Sequence, residues 1–378
     1  MYKLIQTSIA LFALTFAQVS PAASIEAPNL AVKSYVLKDF NSGSTIASNK
    51  PDSRVEPASL TKVMTAYLIF EALQKGQLKL NQTIPVSTKA WKVEGSKMFI
   101  EPNKPVTVDE LLHGLIIQSG NDAATALAEA LGGSEEQFAT MMNNKATSLG
   151  MKNTHYVNAT GLPDPQHYTT ANDLATLAST LIRDFPADYK RLYSVKAYTY
   201  NKITQANRNR LLWLDPNVDG MKTGHTNSAG YCLIASSNRD NSRLVSVILG
   251  ADSVNARSIE SQKLLNFGSQ FFESSLVYKK NQTISEVPVW KGDRKTVAAT
   301  VNKDLYFSLP KGDYARVKAN MISQEPLIAP IKANQVIGKI VFSLDGKIIA
   351  ETKVIAAKEV AIGGIFSRMI DSIRLMLK

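Results

Sequence analysis

The pattern of apolar residues changes twice along this 378-residue chain, and that change limits the folds available to it. Up to about Tyr278, helical periodicity alternates with short β-rich segments, as in an α+β domain. Residues 280–355 contain strand-like segments, among them Tyr314–Lys318, and a hairpin signal at Asp345-Gly346. The last residues return to helical spacing. We predict an α+β domain over 24–278, a small all-β sandwich over 279–356 and an amphipathic helix over 357–378.

Residues 1–23 have the features of a secretory signal. Lys3 supplies a positive start, Ile9–Val19 form a short apolar core, and Ser20-Pro21-Ala22 is a small-residue cleavage context. The alternatives are a buried N-terminal helix or a membrane anchor, but an anchor needs about twenty apolar residues. We therefore expect an exported protein.

Composition narrows the classes of partner. Hydrophobic residues make up 44% and charged residues 20%, an ordinary globular composition. A net charge of +11 favours anionic surfaces such as phospholipid head groups or acidic wall polymers. Nucleic acid is not an expected partner, because no basic run is interleaved with aromatic residues. The single cysteine, Cys232, can form no internal disulfide and is expected to be a packed side chain.

The first chemical motif is Ser59-Leu60-Thr61-Lys62, in a segment from Pro57 to about Leu73 that is apolar on nearly every side. Such a helix is buried. Residues three apart share a helical face, so the hydroxyl and the amine can meet. Serine needs a base, and burial would lower the pKa of the lysine enough to make it one. The alternative is a surface lysine beside a helix-capping serine.

The second motif, Ser119-Gly120-Asn121, interrupts two predicted helices, Asp109–Gln118 and Asp122–Leu131. Ser119 could relay a proton to a leaving amine, and Asn121 could hydrogen-bond a substrate amide. The alternative is that Asn121 and Asp122 cap the second helix.

The third motif, Lys222-Thr223-Gly224, lies in a strand-like segment. Gly224 would allow another backbone to approach closely. Lys222 and Thr223 offer a positive charge and a hydroxyl for a carboxylate, although an ordinary solvated strand end would look the same. His225 could polarise the same pocket or be an exposed turn residue.

Together and in this order, the three motifs resemble those of penicillin-binding proteins and serine β-lactamases. From about Ser34 to Phe272 the sequence is similar to the low-molecular-weight D-alanyl-D-alanine carboxypeptidases of the penicillin-binding protein 5 and 6 type, peptidase S11. The resemblance implies an antiparallel sheet with a helical cluster. The matching stretches are Pro57–Thr65, Gln118–Ala123, Asn207-Arg208-Asn209, Val218–Thr226 and Gly250–Ser253.

The resemblance also implies residue roles. Ser59 would attack the carbonyl between two D-alanines of a peptidoglycan pentapeptide, and Lys62 would accept its proton. The backbone N–H groups of Ser59 and His225 would form the oxyanion hole. β-Lactam antibiotics would acylate Ser59 as covalent inhibitors.

The terminal carboxylate of the substrate would be held by Lys222, Thr223 and Arg257. Arg257 could equally be a charge on a helix surface. No cofactor is implied, and the four histidines show no paired spacing typical of a metal site.

Two departures from related sequences bear on the fate of the acyl-enzyme. Between Gly150 and Ala171 there is no glutamate and only Asp164, which disfavours efficient β-lactamase action. The loop Glu101–Pro105 lacks the glycine found in the family. An endopeptidase that cleaves cross-links is a rival function, as is a non-catalytic wall-binding protein, although the intact Lys62 argues against the latter.

The C-terminal segment Ile362–Lys378 has apolar residues on one helical face and basic residues on the other. It is too short and too charged to span a bilayer. We expect a helix in the membrane interface that contacts anionic lipids on the periplasmic side of the inner membrane. The alternative is a helix docked on the protein.

Overall fold

The structure, a computed structural model, describes residues 25–240 and 242–377. The predicted signal segment 1–23 lies outside the described residues. The predicted fold class is confirmed, because a mixed helix-and-sheet unit is followed by an all-β unit and a terminal helix.

The α-helices of the described residues are α1 Lys62–Gln74, α2 Thr88–Lys92, α3 Val108–His113, α4 Asn121–Gly132, α5 Glu135–Ser148, α6 Ala171–Asp184, α7 Pro186–Leu192, α8 Leu211–Leu214, α9 Val254–Phe271 and α10 Ile365–Met376. Three further turns are helical: 3₁₀ turns at Ala58–Thr61 and Tyr314–Arg316, and a π turn at Gly114–Gln118. The strands are β1 Ser34–Asp39, β2 Thr45–Asn49, β3 Thr83–Ile84, β4 Val106–Thr107, β5 Ala197–Tyr200, β6 Ile203–Ala206, β7 Val218–Thr226, β8 Gly230–Arg239, β9 Ser242–Ala251, β10 Phe272–Tyr278, β11 Ser285–Pro288, β12 Thr296–Thr300, β13 Leu305–Pro310, β14 Val317–Ser323, β15 Val336–Leu344 and β16 Lys347–Ala356.

The first unit is built on an antiparallel sheet with the spatial order β2-β1-β9-β8-β7 and a hydrophobic core on each face. Alternate side chains of a strand point to opposite faces. In β9, accordingly, Val245 and Val247 join the larger core while Leu244 and Ile248 join the smaller one. Helices α1 and α3–α6 cover one face and α9 covers the other.

Helix α1 lies inside the larger core, with ten of its 13 residues buried, as the sequence predicts. The prediction of an α-helix from Pro57 is wrong for the first turn, which is 3₁₀. Ala58, at a φ of +48°, is outside the α-helical region. Ser59 therefore lies in the 3₁₀ turn, and Lys62 is the first residue of α1.

The second unit has a five-stranded sheet, β11-β12-β16-β15-β14, and a separate β10-β13 pair, which together enclose a third core. Strand β10, placed at the end of the first domain by the sequence, pairs with β13, and its Val277 and Tyr278 pack against the third core. The pairing also continues past residue 356, because Val360 pairs with Ile331.

The predicted strand Tyr314–Lys318 is wrong in its first half. Tyr314–Arg316 forms a 3₁₀ turn, and β14 begins at Val317. The cause is local: Gly312 turns the chain at a φ of +87°, and the guanidinium of Arg316 binds the carboxylates of Asp313 and Asp345.

Helix α10 has no buried residue. Its exposed apolar residues are Ile365, Phe366, Met369, Ile370, Ile373 and Met376. The opposite face touches the second unit, because a carboxylate oxygen of Asp371 accepts the backbone N–H of Lys291 at 2.7 Å. No helix in residues 25–240 and 242–377 combines the length and apolarity needed to cross a membrane.

Candidate active site

Ser59 and Lys62 meet where the 3₁₀ turn enters α1. In a 3₁₀ turn, side chains three apart are nearly eclipsed, and here the Nζ of Lys62 lies 3.0 Å from the Oγ of Ser59. Lys62 is only 1% exposed, which excludes the alternative of a surface lysine. Ser59 is half-buried and lines a cleft.

The amine of Lys62 has two further neighbours, both carbonyl oxygens. Its Nζ lies 2.6 Å from the Oδ1 of Asn121 and 2.6 Å from the backbone oxygen of Thr160. The amide nitrogen of Asn121 donates to the carbonyl of Glu94, so its oxygen must face the lysine. A neutral amine has two N–H bonds and one lone pair. Since carbonyls only accept, they take both N–H bonds, and the lone pair is left for the hydroxyl of Ser59.

Burial, reinforced by the positive charge of Arg208 and opposed by Asp122, lowers the pKa of Lys62 to about 7. Near neutral pH a large fraction of the amine is therefore unprotonated. A base whose pKa lies near the working pH is effective in proton transfer.

Ser119 follows the π turn Gly114–Gln118, so the predicted helix Asp109–Gln118 is α3 continued by a π turn. A left-handed conformation, with φ at +64°, directs the buried Ser119 side chain to Lys222, whose Nζ donates to its Oγ at 2.8 Å. No side chain caps α4, so the capping role considered for Asn121 is not observed.

Asp122 holds a loop along the cleft instead of capping a helix. Its carboxylate accepts the backbone N–H groups of Met98–Ile100 at 2.8 to 3.2 Å. Ser96 of the same loop lines the cleft. Further along, Asn103 has a φ of +63°, a left-handed conformation that asparagine adopts more readily than most other residues.

The third motif lies on β7, directly against the turn that carries the nucleophile. A Cβ on Gly224 would lie 3.1 Å from the backbone oxygen of Pro57. Lys222 and Thr223 are 3% and 4% exposed, which excludes a solvated strand end. Burial, with the charge of Lys62 next in importance, places the pKa of Lys222 well below its ordinary value.

A cleft of about 210 Å³ joins these groups, lined by Ser59, Ser96, Ser119, Arg208, Thr223, Gly224, His225, Tyr231, Val254 and Arg257. Arg257 is 6% exposed, which excludes a surface charge, and its guanidinium donates to the carbonyls of Gly224 and Arg208. No carboxylate of the described residues forms an ion pair with Arg208 or Arg257, the two arginines of the cleft. The cleft therefore offers buried positive charge to an anionic group. The ring of His225 lies at the exposed rim against Tyr231, 4.1 Å between centroids.

Sequence reasoning assigned no chemistry to two groups of this site. Arg208 was visible only within the matching stretch Asn207-Arg208-Asn209. The contribution of Thr160 is a backbone carbonyl, for which a sequence carries no signal. Among residues 25–240 and 242–377, no group of three or more histidine, cysteine, aspartate or glutamate side chains could hold a metal.

A hydroxyl next to an amine whose lone pair is free for it, a second amine–hydroxyl pair and an unpaired buried arginine, Arg257, define a serine acyl-transfer enzyme for substrates with an anionic end. Comparison with known proteins refines this class. The family model for D-alanyl-D-alanine carboxypeptidase, peptidase S11, matches residues 21–253, and that for the C-terminal domain of penicillin-binding protein 5 matches residues 272–361. The chain belongs to the peptidase S11 family and is a serine-type D-alanyl-D-alanine carboxypeptidase.

Individual relatives agree with this assignment. The chain is 40% identical over 357 residues to D-alanyl-D-alanine carboxypeptidase DacA of Escherichia coli K12, covering 92% of this chain and 88% of the relative. A crystal structure of penicillin-binding protein 5 from Haemophilus influenzae matches with a TM-score of 0.87 and 41% identity, over 89% of this chain and 99% of that one. Ampicillin-bound penicillin-binding protein D2 from Listeria monocytogenes matches with a TM-score of 0.59 and 30% identity, over 64% and 100% of the two chains.

Proposed function

We propose that Ser59 attacks the carbonyl carbon of the penultimate D-alanine in peptidoglycan pentapeptides and releases the terminal D-alanine. The observation that carries the proposal is the position of the Lys62 amine, 3.0 Å from the Oγ of Ser59 and 2.6 Å from each of two carbonyl oxygens, which leaves the lone pair of the neutral amine for the hydroxyl. Among the described residues, no other hydroxyl of the cleft has a base so arranged.

Acylation proceeds by a balanced proton path. As the Oγ–C bond forms, Lys62 accepts the hydroxyl proton, and the backbone N–H groups of Ser59 and His225 stabilise the oxyanion. As the C–N bond breaks, the hydroxyl of Ser119 donates a proton to the leaving nitrogen, and the proton that Lys62 accepted passes on to Ser119, so that both groups are restored. Lys222, which donates to the Oγ of Ser119 at 2.8 Å, offsets the charge that develops there. Water then hydrolyses the ester and restores the hydroxyl of Ser59.

The carboxylate of the departing D-alanine explains the unpaired cations. Thr223 and Arg257 line the cleft on the side of β7 and can bind this carboxylate, and Arg208 adds positive charge. A bound carboxylate would also favour the charged form of Lys222, against the burial that lowers its pKa. β-Lactams carry a carboxylate beside a strained amide, so the same cleft accepts them as acylating inhibitors.

Substitution of Ser59 with alanine tests the proposal. We expect wild-type protein incubated with penicillin to gain the mass of one penicillin on the peptide that contains Ser59, and the S59A variant to gain none. Release of free D-alanine from a synthetic pentapeptide should fall to background in the same variant.

Ser148→Ala is the matched control, because its hydroxyl lies on an exposed helix end and donates only to the carbonyl of Lys145. It should be labelled like the wild type. A penicillin adduct on S59A at the wild-type rate would assign the nucleophile to another residue.

We propose further that the enzyme is exported and held at the periplasmic face of the inner membrane by α10. Six apolar side chains of this helix, together with that of Leu377, the residue that follows it, are 49% to 86% exposed. So large an exposed apolar face is unusual for a protein surface in contact with water. Asp371 binds the second unit on the other side, so the apolar face is free to enter a lipid interface.

Removing residues 365–378 is expected to move the protein from the membrane to the soluble fraction, while soluble carboxypeptidase activity stays unchanged. A double variant, F366S/I373S, should weaken binding to anionic vesicles, because two apolar groups leave the interface. The matched control is I348S/I349S, which removes two exposed apolar side chains from the second unit. Equal vesicle binding by both double variants would contradict the anchor.

A further inference from the structure

The loop 157–167 contacts the turn of the nucleophile at several points. Its Thr160 carbonyl accepts from the amine of Lys62 at 2.6 Å, and its Ala159 carbonyl accepts from the hydroxyl of Thr65 at 2.8 Å. Gly161 presses on the Ala58 peptide so closely that a Cβ would lie 1.8 Å from its oxygen. The loop thus supplies one of the two carbonyls that orient the base.

The last residue of this loop, His167, returns to the same turn. Its Nε2 lies 2.8 Å from the Oγ1 of Thr61. Thr61 stands between Ser59 and Lys62 in the sequence. The backbone N–H of Val157, at the other end of the loop, donates to its Nδ1 at 3.1 Å. Because a backbone N–H can only donate, Nδ1 accepts, and the ring proton is on Nε2 and donates to Thr61. One buried imidazole therefore closes the loop and attaches it to the turn.

We propose that His167 is a positioning residue, which through Thr61 and Val157 holds the Thr160 carbonyl on the amine of Lys62 and keeps water from that amine. The inference rests on the role of Lys62 as the base in the proposed function. His167 does not touch the reacting atoms, because its two ring nitrogens are occupied by Thr61 and Val157.

The imidazole is suited to a constant, uncharged role. Burial lowers the pKa of His167 to about 4, so it stays neutral across the range in which Lys62 titrates. Charged or titratable groups that act on it are Asp164, His155, Glu56 and Lys62. Those that act on the Lys62 amine are Arg208 and Asp122, and the charge of Lys62 in turn acts on Lys222.

His167→Ala should shift the acid limb of the pH profile of the acylation rate to higher pH. Without the imidazole the loop loosens and water reaches Lys62, whose pKa then rises toward its ordinary value. Each unit of rise costs about tenfold in rate near pH 7, because less amine is unprotonated. Thr61→Val removes the same contact and should give a similar shift, with little further effect in the double variant. The measurement is the rate of fluorescent penicillin uptake against pH.

His167→Gln is the conservative rescue, since its amide can still donate to Thr61, and its acid limb should lie close to that of the wild type. Tyr156→Phe is the matched control, because this ring packs edge-on against His167 while its hydroxyl has no partner. Uptake by H167A that falls equally at every pH, without a shift, would show a purely structural role and overturn the inference. Labelling of S59A would instead overturn the proposed function, so the two failures are distinguishable.

Discussion

Lys62→Met is expected to slow acylation of Ser59 by penicillin about 10³-fold, within the range that general bases contribute. Methionine fills nearly the same volume in the buried site but has no group that can accept a proton. The Oγ of Ser59 then loses the partner that lies 3.0 Å away in the wild type. The measurement is the second-order rate of penicillin labelling, with circular dichroism to establish that the variant is folded.

The pH dependence makes this prediction sharper. With a pKa of about 7, the amine is protonated below neutrality, so wild-type labelling should rise with pH through about 7 and then level off. Lys62→Met should show no such limb. Lys145→Met is the control, because this lysine belongs to the same domain but binds Glu71, far from the cleft. Rapid labelling of K62M with an unchanged limb near pH 7 would assign the proton acceptor to another group.

Gly161→Ala is expected to slow acylation about 10²-fold and to destabilise the fold. Gly161 has a φ of +85°, a conformation that costs a residue with a side chain about 1–2 kcal/mol. The new Cβ would also lie 1.8 Å from the oxygen of Ala58, so either the loop or the nucleophile turn must move. A displacement of about 1 Å at a reacting group can cost about 10²-fold in rate.

Comparison with Gly150→Ala separates the effect of backbone strain from the effect of moving the loop or the nucleophile turn. Gly150 also has a positive φ, +75°, but a Cβ added there would have no atom within 4 Å. This variant should lose stability in thermal unfolding through backbone strain alone and keep the wild-type rate of penicillin labelling. If both variants were labelled at the wild-type rate, contact between the loop and the turn would be unimportant for catalysis.

The helices and strands were predictable where local pattern and burial agree. Helix α1 is apolar all round because it lies inside the larger core, so its composition alone revealed its place. Helix α5, by contrast, was not predicted, although Ser134 caps it and Glu135 and Glu136 open it. Only four of its 14 residues are buried, so its apolar pattern is weak.

The candidate site divides in the same way. Ser59 and Lys62 are three residues apart, and the geometry of one helical turn is enough to bring them together. Arg208 and His167 reach the site from distant parts of the chain. Only the matching stretch Asn207-Arg208-Asn209 pointed to Arg208, and nothing in the sequence around His167 indicated its place. The 3₁₀ turn and the left-handed Ser119 also depend on packing, because neither conformation is the intrinsic preference of its residues.

By itself the sequence determined the order of the units, the buried helix and the three motifs, because apolar periodicity and short spacings act within a few residues. The tertiary structure alone decided that Asn121 and the Thr160 carbonyl would take the two N–H bonds of Lys62. It also decided that no carboxylate of residues 25–240 and 242–377 would neutralise the arginines of the cleft. The two carbonyl contacts of Lys62 join groups that are 59 and 98 residues apart in the sequence. The burial that sets the pKa of the base exists only once these segments have packed together.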